Sequence, residues 1–284
     1  MRNIKVFAVA PILFLTLLTC PTWAVESYYG EEIAKQEHRL DQADLKALLF
    51  NVLSKAHIVR NGQPDELVNS CPANQRCLEH RSLGYDGARR KLFGRLFLLE
   101  NKGEYALPDV YCNTVLTAKD FPRGQGPGPD KIPANAVVNA EHTWPQSRFS
   151  KRFPSGLQKS DLHILLATSA RANSLRGNQP FGDVVASRKQ VCPESTLGFT
   201  SRTNSNFFLP PANIRGDVAR AVFYFAVRYQ MPIDPEQEEA TRRWNRQDPV
   251  DQPERERHQL KFEWTEVRNP FIDHPEWVDL IQDF

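Results

Sequence analysis

Setting aside the first 24 residues leaves four cysteines, Cys71, Cys77, Cys112 and Cys192, and an even set in an exported chain ties its loops together covalently. The leader itself has three parts. Arg2 and Lys5 precede an apolar run of about 13 residues, Val6 to Leu18, and small residues lead up to Ala24. This is the pattern of a secretory signal peptide cut after Ala24, because the run is too short for the roughly 20 residues of a membrane-spanning helix. Cys20, behind Leu17-Leu18-Thr19, offers a lipoprotein signal as a competing reading, which the threonine disfavours. Two disulfides are expected, with Cys71–Cys77 across a small loop and Cys112–Cys192 across the middle of the chain favoured among three pairings. No Cys-x-x-Cys pair supports a zinc knuckle.

The remaining residues, 25–284, fit one domain with elaborations. We divide it into a helical N-terminal part (25–104), a core (105–230) and a helical C-terminal tail (231–284). Hydrophobic residues make up 40%, with 17 Phe and 5 Trp, enough for a substantial core. A net charge of +2 does not announce a polyanion partner, so any basic surface must be local. The charge is indeed uneven. Arg148, Lys151, Arg152, Lys159, Arg171, Arg176 and Arg188 crowd the middle, whereas 234–239 is acidic. No later stretch is apolar enough to cross a membrane, and a soluble monomer is expected.

Apolar residues at three- and four-residue spacing predict helices over 41–59, over Ser82 to Leu99, and over Pro211 to Tyr229, the clearest amphipathic segment. A further helix is predicted over Pro235 to Asn245. Residues 60–80 read as a loop, and Val110-Tyr111-Cys112 as a short strand. Pro122 to Asp130 alternates glycine with proline. It reads as plain loop rather than a phosphate cradle, since proline removes backbone donors. Val137 to His142 reads as a strand, and 161–173 as a helix capped by Ser160 or Asp161.

Glu141-His142, followed some 30 residues later by Asn173, is the densest set of side chains with chemical potential. An imidazole can take a proton near neutral pH. A carboxylate and an amide oxygen suit a hard divalent cation that keeps most of its waters. Adjacent residues on an extended strand point opposite ways, so His142 can aim at a water while Glu141 faces the cation. Taken alone, a Glu-His pair is more often surface decoration, and a helix-terminal Asn is more often a cap.

Further motifs raise the reading. Glu141-His142-Thr143-Trp144-Pro145, Ser160-Asp161-Leu162-His163, Arg171-Ala172-Asn173 and Arg176-Gly177-Asn178 closely resemble the bacterial endonuclease I family. Tyr85-Asp86-Gly87-Ala88-Arg89-Arg90, Tyr111-Cys112-Asn113, Arg215 to Arg220 and Arg268-Asn269-Pro270-Phe271 extend the resemblance over most of the mature chain. It implies a periplasmic or secreted nuclease with a ββα-metal (His-Me finger) motif, cutting DNA, and RNA in some members, without sequence preference and leaving 5′-phosphate ends. It further implies His142 as general base, Glu141 and Asn173 as ligands of one Mg²⁺ (Mn²⁺ or Ca²⁺ as substitutes), and Arg176 as a phosphate contact. The chain is shorter than well-studied relatives after the Glu-His pair, where they carry a phosphate-binding arginine. Arg152, with Arg148 and Lys151 beside it, is the nominee here.

The fold class expected is therefore α+β, helix-rich and mixed, around a central ββα-metal motif. His163 is expected as a hydrogen-bonded support, Asp161 as a cap, Trp144 and Pro145 as loop-shaping residues, and Phe223, Tyr224 and Phe225 as core. No Gly-x-Ser-x-Gly elbow supports acyl transfer. The alternative from another class is a catalytically silent nucleic-acid-binding protein on the same scaffold, which loss of metal would not affect. No recognition-helix motif is present to read bases, so binding through phosphates should weaken steeply with salt.

Overall fold

The computed structural model describes residues 27–30, 33 and 42–284; the expected leader, 1–24, lies outside the described residues. Helix α1 (Gln42–Ser54) sets Leu45, Leu49, Val52 and Leu53 at helical spacing, and all four are buried. It stops short of residue 59. Ala56, His57 and Ile58 instead form strand β1 (Ala56–Ile58), paired antiparallel with β2 (Glu66–Val68) and β3 (Cys77–Leu78). The Cys71–Cys77 disulfide closes the polar loop ahead of β3.

Helix α2 (Gly84–Lys91) runs into a π-helical turn, Leu92–Leu96. An antiparallel meander follows, β4 (Leu99–Asn101), β5 (Glu104–Asp109) and β6 (Thr114–Thr117). Val110-Tyr111-Cys112, strand-like in composition, is the turn between β5 and β6. Asp109 makes that turn: its Oδ1 accepts from the Tyr111 amide at 3.3 Å and its carbonyl from the Cys112 amide at 3.1 Å. Residues 121–137 hold no helix or strand, as the glycines and prolines predict. This loop lies directly on the π-turn at Gly94, where a Cβ would stand 2.5 Å from the Asp130 amide nitrogen.

Strand β7 (Val138–His142), the short helix α3 (Ser155–Lys159), strand β8 (Leu165–Ser169) and helix α4 (Ala170–Arg176) follow. The single helix predicted over 161–173 is not what forms. Asp161 caps a 3-10 turn, accepting from the His163 amide at 3.0 Å, and the chain then extends as β8. A short continuous apolar run reads the same as buried helix or buried strand. Pairing with β7 decides it, with Ala140 opposite Ala167 and His142 opposite Leu165. Helix α4 starts at Ser169, whose hydroxyl accepts from the Ala172 amide at 3.2 Å, and stops at Gly177, with φ 59°. The result is an antiparallel ribbon followed directly by a helix.

A further small sheet, β9 (Ala186–Cys192), β10 (Ser195–Phe199) and β11 (Asn206–Leu209), is stitched to the β5–β6 turn by the Cys112–Cys192 disulfide. Helix α5 (Arg215–Arg228), predicted as amphipathic, is instead buried on nearly every side. It packs against α1, α6 (Pro235–Gln247) and the short C-terminal helix Pro270–Asp273. Two of its three arginines are buried with partners. Arg220 makes a bidentate pair with Glu254 at 2.8 and 2.6 Å, and Arg228 donates to the Leu53 carbonyl at 2.8 Å. Phe223, Tyr224 and Phe225 are core, as expected. The fold is mixed α+β and helix-rich. Among the described residues no helix is long and apolar enough to cross a membrane.

Candidate active site

Strand β7 ends in Glu141 and His142, whose side chains leave the strand on opposite sides. On the first side, the Tyr111 hydroxyl donates to Glu141 Oε1 at 2.9 Å, and Arg176 Nη1 lies 3.1 Å from the same oxygen. Arg176, the last residue of α4, also donates from Nη1 to the His142 carbonyl (2.9 Å) and from Nη2 to the Thr143 carbonyl (2.8 Å). Its side chain is 1% exposed and lies over the Phe181 ring. The expected phosphate contact is thus turned inward, and it fixes the end of β7. Burial raises the Glu141 carboxyl above its ordinary value, and Arg176 and Tyr111 offset this only in part.

On the other side, His142 Nε2 is 3.0 Å from the Lys159 carbonyl. Lys159 ends helix α3, so its carbonyl has no partner within the helix and is available to the imidazole. A carbonyl only accepts, so Nε2 carries the proton and Nδ1 bears the lone pair, 3.3 Å from the Gln146 amide nitrogen. The ring lies between Tyr85, stacked at 5.9 Å, and Phe149, edge-on at 5.8 Å. Burial pushes the imidazole down to about 4, with the charges of Lys159 and Arg176 adding to the effect and the Lys159 carbonyl opposing it. His142 is therefore neutral at neutral pH, with Nδ1 available as a base.

Asn173 comes from the middle of α4. Its Nδ2 donates to Asn139 Oδ1 at 3.2 Å, which leaves its own Oδ1 as the remaining acceptor. Glu141, His142, Gln146 and Asn173 line one cleft of about 260 Å³, with Arg176 in its wall. Arg152 is not brought to this cleft; it is exposed and its Nη1 donates to Gln230 Oε1 at 3.3 Å. His163 is a support, with Nε2 2.9 Å from the Val267 carbonyl. The Asp161 carboxylate, beyond its capping bond, accepts from the hydroxyls of Tyr224 (2.9 Å) and Tyr229 (2.7 Å). Trp144 donates to the Arg148 carbonyl at 2.9 Å and stacks on Phe225, which shapes the loop after β7.

Tyr111, Gln146, the Lys159 carbonyl and Tyr85 are contributors that sequence reasoning did not single out for the site. Tyr111 had a signal in its neighbour Cys112, which ties its turn to β9. The Lys159 carbonyl has none, because any residue type supplies one. Among the described residues no cluster of three or more His, Cys, Asp or Glu side chains forms a metal cage.

A family model described as Endonuclease I matches residues 100–276. The extracellular ribonuclease of Bacillus amyloliquefaciens is 35% identical over 162 residues, covering 50% of this chain and 53% of that protein. The extracellular ribonuclease of Bacillus subtilis (strain 168) is 33% identical over 162 residues, with the same coverage. The chain spans about half the length of these curated relatives.

Proposed function

Because the chain belongs to the endonuclease I family, we propose that it is a secreted, metal-dependent endonuclease that hydrolyses phosphodiester bonds of DNA and RNA without sequence preference, with His142 as general base. The carrying observation is the anchored imidazole: Nε2 is held on the Lys159 carbonyl, and Nδ1 accepts only a long 3.3 Å bond from Gln146 that a water can displace, in a cleft that also holds Glu141 and Asn173. Nδ1 takes a proton from water, the hydroxide oxygen bonds to phosphorus, and the bond from phosphorus to the 3′-oxygen breaks. The products are a 5′-phosphate and, after protonation by solvent, a 3′-hydroxyl. The imidazolium formed is stabilised by its Nε2–H bond to Lys159.

The donor set fits one hard divalent cation, Mg²⁺ in this reading. Glu141 would supply a carboxylate held in place by Tyr111 and Arg176, and Asn173 an amide oxygen whose orientation Asn139 sets. When bound, such a cation supplies charge neutralisation at the phosphate and leaving oxygen. With so few protein ligands, most of its shell is water. Arg176 then acts as a positioning residue for Glu141, and Arg152 is left for phosphates beyond the cleft.

Residues 25–284 are read as one nuclease unit acting as a monomer. Export is supported by the leader-like residues before 25, the two disulfides, and relatives named as extracellular. Those relatives are named ribonucleases, which favours RNA as a substrate alongside DNA.

The test is cleavage of plasmid DNA and of a long RNA by the purified, disulfide-intact protein, with Mg²⁺, with EDTA and with His142→Ala. Metal-dependent cutting that collapses in the variant supports the proposal. No cutting across several divalent metals by well-folded wild type would leave the silent binding protein as the better account.

A further inference from the structure

Next to the catalytic cleft lies a second, larger pocket of about 440 Å³, and Pro145 lines both. Trp144, Phe149 and Met231 give it an apolar lining, and Arg148 and Lys151 bring cations to it. Both cations are exposed. The Asp234 carboxylate also borders the pocket, but it is turned to the start of α6, accepting from the Glu236 and Gln237 amides at 3.0 and 3.3 Å. Gln237 gives its Oε1 to the Phe181 amide, which leaves its NH₂ as the donor in the lining. Phe149 links the two sites, since its ring is also 5.8 Å from that of His142.

We infer that this pocket is a nucleotide subsite that takes an unstacked base of the strand being cut. The inference rests on the nuclease reading. An apolar, aromatic lining with a free amide donor suits a nucleobase, and the two cations suit its phosphate. The volume falls in the roughly 300–1,000 Å³ range of small-molecule sites. A base in a duplex is stacked and paired and reaches such a pocket only by being flipped out, whereas a base in a single strand is already available. The enzyme therefore prefers single-stranded DNA or RNA to duplex.

Two readouts test this. Metal-free protein labelled with ¹⁵N is titrated with 5′-UMP, following the indole N–H signals. The Trp144 signal should shift and saturate while that of Trp264 stays in place, inorganic phosphate alone should not reproduce the shift, and Arg148→Glu/Lys151→Glu should abolish the saturation. Separately, KM is measured for a single strand and for the duplex of the same sequence. Wild type should favour the single strand by about tenfold, the scale of one stacked base, and the double variant should bring that ratio to within about twofold. A Trp144 signal indifferent to UMP, or a wild-type KM ratio near one, overturns the inference. If Trp144 responds to UMP as described but no nucleic acid is cut, the subsite stands and the nuclease reading is what falls.

Discussion

Arg176 and Glu141 meet at 3.1 Å inside the protein, and the same guanidinium holds the carbonyls of His142 and Thr143. One residue at the end of a helix therefore sets both the carboxylate and the backbone that carries the base. A lysine ammonium cannot span three acceptors in a fixed fork. Arg176→Met should cost about 3–5 kcal/mol in urea unfolding, because it leaves Glu141 buried without its partner. Arg176→Lys should cost less stability yet still lose most activity; wild-type turnover in that variant would remove Arg176 from the positioning role.

Tyr111→Phe keeps the ring, packed 4.8 Å from Phe208, and deletes only the hydroxyl bond to Glu141. The fold should be unaffected. Affinity for Mg²⁺, read from calorimetric titration, should fall by about 10–100-fold, as when a group that orients a metal ligand is lost. An unchanged affinity would mean that Arg176 alone orients the carboxylate.

Acid should destabilise the protein in two stages. Burial holds the His163 imidazole well below its ordinary value, so its contribution is present above about pH 6.5 and is lost as pH falls. The Asp161 and Asp273 carboxyls are also held below their ordinary value. Burial alone would raise them, but Arg228 at Asp161, and His258 and Arg268 at Asp273, outweigh it. Their contribution is present above about pH 4 and is lost below it. Glu254, raised to about 7 by burial, works in the opposite sense, so the comparison must be between variants. The stability gap between wild type and His163→Gln, from denaturant curves at pH 7 and pH 5, should shrink at the lower pH. A constant gap would rule out the histidine contribution.

The Cys112–Cys192 disulfide closes a loop with a sequence separation of 80. On chain-entropy reckoning, Cys112→Ser/Cys192→Ser should cost about 4–5 kcal/mol. It should also loosen the turn that carries Tyr111, whose carbonyl accepts from Ser195 Oγ at 2.6 Å. The variant should therefore need more Mg²⁺ for half-maximal cutting at a temperature where it is still folded. An unshifted metal requirement would show that Ser195 and the packing of Tyr111 suffice.

The candidate site was legible where chemistry is carried by side-chain type. Glu141, His142 and Asn173 stand out as residues, and the structure brings all three to one cleft. The orientation of His142 was not legible, because it depends on the main-chain carbonyl of Lys159, which the sequence does not mark. Arg176 illustrates a second limit: the family resemblance suggested a phosphate contact, and only its 1% exposure shows that it faces inward.

Local sequence was enough to place strand β7 and the glycine- and proline-rich loop, and to favour the disulfide pairing that forms over its two alternatives, because turn chemistry and cysteine count act over a few residues or through one bond type. The strand at 165–169 and the all-round burial of α5 were decided by tertiary structure. An apolar run can satisfy its backbone within a helix or across a sheet, and an arginine can face water or a buried carboxylate. In each case the partner that settles the matter comes from a different element of the chain: β7 for β8, Glu254 for Arg220, and Glu141 for Arg176.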